Sequence, residues 1–97
     1  MKHLDRDRVN RLVDLYGTGD RDALAEILRG YSSDALAELK ALIWLGRDEE
    51  WPGHWDALVI EARAKVDEST PGRLTETPNL ANVLVAGMER LEEAGRV

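Results

Sequence analysis

The chain has 97 residues, 43% hydrophobic and 33% charged, with no cysteine and a net charge of 13 − 19 = −6. That length holds one domain at most, and the missing thiols exclude disulfides, thiolate nucleophiles and cysteine-bound zinc or iron–sulfur centres. The acidic balance opposes association with nucleic-acid phosphates and with anionic membrane surfaces.

The N-terminus, Met1-Lys2-His3-Leu4-Asp5-Arg6, has no apolar signal-peptide core, and no later run reaches transmembrane length. Both points lead to an expectation of a cytoplasmic protein. Ten arginines against three lysines suggest a GC-rich bacterial source. Apolar residues recur at three and four positions, not two, so the expected fold class is all-α, a compact bundle of four to five helices.

The spacing predicts a first helix over Asp5–Tyr16 with Val9, Leu12, Val13 and Tyr16 inward, closed by a left-handed Gly17. A second runs from Arg21 to Arg29, capped by Asp20 and stopped by Gly30, with Leu24, Ile27 and Leu28 inward. A third starts after Ser32 or Ser33 and runs to Leu45. Its last turns, Ala41–Leu45, are apolar all round, so it is expected at the centre, closed by Gly46. Arg47 then sits at its negative end, where a cation gains roughly 0.3–1 kcal/mol by pairing with local carbonyls or acids.

The fourth helix begins at Glu49 or Gly53 and ends at Glu68, with Trp55, Leu58, Val59, Ala62 and Val66 inward. The restriction on the residue before Pro52 favours the later start. Residues 69–73 read as a turn and Leu74–Pro78 as an extended connector. The last helix covers Asn79–Ala94, after which Gly95-Arg96-Val97 frays. Gly87 inside it points to close helix–helix approach, within the chain or across a dimer.

Candidate chemistry concentrates between Trp44 and Trp55, which holds three of the five aromatic residues and one of the two histidines. Trp44 and Trp55 read as core residues, while Trp51 divides evenly between core and contact surface. Glu50 and His54, four apart, would share a helical face. No Glu-x-x-His or His-Glu-x-x-His accompanies them, so no metal or other cofactor is expected. No serine lies in a Gly-x-Ser-x-Gly setting, and His54 has no marked partner, so no catalytic residue is assigned. Gly17-Thr18-Gly19 lacks a phosphate-loop lysine. A helix-turn-helix formed by helices two and three would present Asp34 and Glu38 to the groove, and no nucleic-acid role is expected.

The segment Glu38-Leu39-Lys40-Ala41-Leu42-Ile43-Trp44-Leu45-Gly46-Arg47-Asp48 resembles the centre of a small all-helical bacterial family of unknown function. In that family the centre reads Leu-x-Trp-Leu/Ile-Gly-Arg-Gly/Asp. Its Thr-Pro-x-Leu-Ala segment stands here as Thr77-Pro78-Asn79-Leu80-Ala81, and Gly87 matches a glycine of its last helix. The resemblance covers roughly residues 33 to 92. With the length limit this gives one helical domain over 1–97, in which 33–94 is the family-like core and residues 1–32 are leader helices outside the resemblance. The resemblance implies no catalytic residues, and the Trp51-Pro52-Gly53-His54 stretch departs from it.

The residues therefore favour a non-catalytic module that binds a protein partner or itself as a homodimer, through Arg47, Glu50, Trp51, His54 and Trp55. The alternative is an enzyme, or a small-ligand or metal binder, with Arg47, Glu50 and His54 in one cleft.

Overall fold

Polar caps start the first three helices. The carboxylate of Asp5 accepts from the Arg8 amide, that of Asp20 from Ala23, and the Ser32 hydroxyl from Ala35. These caps set α1 (Arg6–Gly17), α2 (Arg21–Arg29) and α3 (Ser33–Gly46). A 3₁₀ turn, Pro52–His54, leads into α4 (Trp55–Ala64), followed by α5 (Thr70–Thr75) and α6 (Leu80–Glu93). The structure is a computed structural model that describes residues 1–95. It is an all-α bundle: six helices form among these residues, with no strand. Of the expected C-terminal fraying, Arg96 and Val97 lie outside the described residues. No described helix is long and apolar enough to cross a membrane.

Helix α3 is central. Residues 35 to 39, 41 to 43 and 45 are all buried, enclosed chiefly by α6 and α4, with α5 beside them. Helix α1 packs on α6, and α2 packs on α5. The shared core runs from Leu4 through Leu12, Leu28, Leu42 and Leu58 to Leu91. Trp55 belongs to it, at 5% exposure.

Two glycines set how α3 meets α6. A Cβ on Gly87 would stand 2.3 Å from the Leu42 carbonyl oxygen, and one on Gly46 would stand 1.9 Å from that of Val83. The contact is reciprocal. Each helix offers a glycine to a carbonyl one turn from the other's glycine, so the two backbones touch where side chains normally intervene. The close approach expected at Gly87 is therefore made within the chain.

Several local expectations need correction. Gly17 is the last residue of α1, and Gly19, at φ 79°, takes the left-handed position. Gly46 does not turn the chain. Its place is taken by Asp48 at φ 62°, whose amide bonds to the Leu45 carbonyl while the Glu49 amide bonds to that of Trp44, closing α3 in a Schellman pattern. Aspartate tolerates that backbone because its short polar side chain can bond locally. Ile27 faces outward at 47% exposure, and Ala25 is buried beside Leu24 and Leu28 instead.

Helix α4 stops at Ala64, not Glu68. The Asp67 carboxylate accepts from the Ser69 amide and hydroxyl, and the Thr70 hydroxyl accepts from the Asp67 amide. That local network competes with helix continuation. It holds the Asp67 carboxyl below its ordinary value, chiefly through Ser69. The expected turn and extended connector are replaced by α5, with Pro71 in the first turn, where its missing N–H costs nothing. Thr70, Pro71, Leu74 and Thr75 are buried, so packing stabilises a helix too short to stand alone.

Gly87→Ala is expected to destabilise the fold by about 1–3 kcal/mol or more, because rigid backbone must move. Gly72→Ala, in α5 with open space around it, is expected to be neutral or to stabilise by about 0.4–1 kcal/mol. Paired thermal melts of the two variants check this. Equal Tm values would contradict the glycine contact.

Candidate functional site

The C-terminal half of α3 and the loop behind it carry the candidate residues, but the structure distributes them over different surfaces. Arg47 is the C-cap residue of α3 by its backbone, but its side chain does not serve the helix end. Arg90 reaches across from α6, donating to the Leu45 carbonyl at 2.9 Å and pairing with the Asp48 carboxylate. The Arg47 side chain is left to line a concavity with Lys40, Ile43, Trp44, Thr70, Arg73, Leu74 and Thr77. Neither Glu50 nor His54 lines that concavity.

Glu50 lies in the loop before the 3₁₀ turn, so it does not share a helical face with His54. It borders a second, acidic concavity with Glu49, Glu61, Lys65 and Trp44. Lys65 pairs with Glu61 at 3.5 Å and sits 5.2 Å from the centre of the Trp44 ring. The half-buried Trp44 indole thus forms a wall between a cationic and an acidic hollow, rather than a fully enclosed core residue.

Trp51 and His54 form a separate feature. Their rings meet edge to face, with centroids 5.0 Å apart and planes at 80°. The indole also lies close over Gly53: a Cβ there would stand 3.2 Å from ring carbons. Trp51 is nevertheless 65% exposed. Beyond it, Ala57, Ile60 and Ala64 recur on the outer side of α4, with Ile60 at 72% exposure. Glu49, Glu50, Asp56 and Glu61 are all exposed in the same stretch of chain. Among the described residues, no group of three or more His, Asp or Glu side chains is close enough to hold a metal ion.

On the cationic side, Lys40 and Trp44 stand at i and i+4 of α3, and Arg47, its C-cap residue, follows at i+7. Helix α5 adds Thr70, Arg73 and Leu74. Burial, then the charges of Lys65 and Arg73, push the Lys40 ammonium below its ordinary value. Reading the sequence missed Lys40 and Arg73. Lys40 is the one charged residue between Glu38 and Arg47, a legible signal, whereas Arg73 was hidden in what read as a turn.

Glu38 was also missed. It is 3% exposed, and its carboxylate accepts the backbone amides of Lys2 at 2.7 Å, His3 at 2.9 Å and Leu4 at 2.7 Å. Three charge-assisted bonds tie the N-terminal segment onto α3 and seat Leu4 in the core. Glu38→Ala is expected to cost about 1–3 kcal/mol, the penalty of stranded buried donors. It should also release the amides of residues 2–4 to rapid hydrogen exchange, whereas exposed Glu26→Ala should do neither. Unchanged exchange at Leu4 would refute the tie.

Comparison with known proteins adds one match. Neither the curated proteins nor the solved structures contain one. Residues 21–92 match the model of a family described as a protein of unknown function, DUF3775, a span that takes in α2 as well as α3 to α6.

Proposed function

The chain belongs to this family of unknown function, and we propose that it serves as a protein-interaction module whose contact surface is the Trp51–α4 face. The observation that carries the reading is Trp51: a large aromatic side chain, mostly exposed, yet already held against His54 and Gly53. A pre-ordered indole loses little conformational freedom on binding, and tryptophan is over-represented among residues that dominate interface energies.

Ala57, Ile60 and Ala64 add exposed apolar surface on the outer side of α4, which packs inward chiefly on α3. The surrounding Glu49, Glu50, Asp56 and Glu61 favour a partner that is apolar with basic flanks. A second copy brings the same acids to the interface, so a homodimer through this face would be weaker, and its association would rise with salt. Arg47 and Trp55 fall outside this surface, since Arg47 borders the cationic hollow and Trp55 is core. His54 stays with Trp51, whereas Glu50 borders the acidic hollow.

The test uses a Leu/Lys amphipathic peptide, titrated against tryptophan emission, together with sedimentation of the chain alone at rising concentration. Wild type is expected to bind the peptide with a blue-shifted emission. Trp51→Ala, which leaves every charge in place, should weaken binding by about tenfold or more. Equal peptide affinity in wild type and Trp51→Ala, with a monomeric mass throughout, would overturn the reading.

A further inference from the structure

A hollow lined by three cations shares Trp44 with the acidic one. We propose that the concavity between α3 and α5 binds the phosphate group of a small phosphate monoester, with Lys40, Arg47 and Arg73 neutralising the dianion and Ile43, Trp44 and Leu74 receiving the adjoining apolar or aromatic part.

The chain carries a net charge of −6, yet three cations converge on one hollow with no carboxylate among its lining residues. Several other basic residues have partners, though Lys2, Arg11 and Arg29 also enter no ion pair among the described residues. Arg6 pairs with Glu92, Arg63 with Asp34, Lys65 with Glu61 and Arg90 with Asp48. Arg8 and Arg21 stack on Tyr31 and Tyr16. Among the described residues, Lys40, Arg47 and Arg73 enter no ion pair. The nearby acid, Asp67, accepts from Ser69, and its charge acts on Lys40 and Arg73 from outside the lining. Three cations against one nearby carboxylate leave an excess of positive charge that opposes folding, and a bound dianion offsets it.

The lining also supplies directional groups. Thr70 lines the hollow with its hydroxyl tied to Asp67, whose amide donates to it and whose carboxyl it helps hold below the ordinary value. Thr77 lines the same hollow and makes no side-chain hydrogen bond among the described residues. Two guanidinium groups suit phosphate better than ammonium groups alone, since each can donate a pair of parallel bonds.

Size narrows the ligand class. The hollow measures about 150 Å³, below the roughly 300–1,000 Å³ of pockets that enclose a drug-sized molecule. It takes a phosphate and a small attached group, not a whole nucleotide. The described residues contain no strand edge to pair with an extended peptide, so a free small molecule is the favoured source of the phosphate.

The experiment titrates inorganic phosphate, phenyl phosphate, phenol and a phosphotyrosine peptide into the full chain at fixed ionic strength. Calorimetry and amide-resolved NMR provide the readouts. Phenyl phosphate is expected to bind saturably and more tightly than inorganic phosphate, with phenol silent. The largest shifts should fall at Lys40, Thr70, Arg73 and Thr77. Arg73→Gln and Arg47→Gln, both at exposed positions that do not threaten folding, should each weaken binding by about tenfold. Arg63→Gln, remote and paired with Asp34, should not. Phenyl phosphate should raise the Tm of wild type and not that of Arg73→Gln.

Shifts spread evenly over all basic residues, equal effects of Arg63→Gln and Arg73→Gln, or no saturable binding would each overturn the proposal. A phosphotyrosine peptide binding much more tightly than phenyl phosphate would overturn the assignment to a free small molecule. Trp51→Ala is expected to leave phosphate binding unchanged, so this site and the proposed protein-contact face stand or fall separately.

Discussion

Where α3 crosses α6, the backbones are in contact, and nothing larger than hydrogen fits at Gly46 or Gly87. That closeness determines what surrounds it. With α6 drawn in, Leu84, Met88 and Leu91 reach the same core as Leu39, Leu42 and Leu45. Arg90, near the end of α6, comes within reach of the α3 carboxyl end and satisfies a carbonyl there. A larger residue at either position would separate the helices, and the cap would be lost with the packing. In a chain of this size, where total stability is only about 5–15 kcal/mol, one such contact is a large fraction of the whole.

The Arg90 cap also explains the position of Arg47. An arginine immediately after a helix would ordinarily turn back to the carbonyls it follows. Here those acceptors are served from α6, the backbone reverses at Asp48, and the Arg47 guanidinium is displaced sideways into the hollow shared with Lys40 and Arg73. The candidate ligand site is thus a by-product of how the helix end is satisfied, which links the core to the surface.

Helix existence was legible because its signals are local. Asp20 and Ser32 cap as their residue types predict, and the apolar stripe of α3 announces its burial. Failures occur where distant residues decide. Pro71-Gly72 reads as a turn until Leu74 and Thr75 are known to be buried, and Gly46 reads as a helix stop until Val83 is known to press on it. Asp48 carries the left-handed backbone that a glycine was expected to hold. Among the candidate residues, Arg47 and Trp51 lie at real surface features. Their separation depends on the 3₁₀ turn and on Trp44 standing between two hollows, which no spacing rule encodes.

The tie between Glu38 and residues 2–4 bears on what counts as a unit of this protein. The family match begins at residue 21, but a buried carboxylate inside it takes its three donors from outside it. Helix α1, also outside, covers part of α6. Cutting the chain at the edge of the matched segment would strip the buried Glu38 carboxyl of its three backbone donors and would bare one side of the last helix. In this protein the span that identifies kinship is shorter than the span tied together by buried contacts, and the difference is carried by backbone amides rather than by sequence likeness.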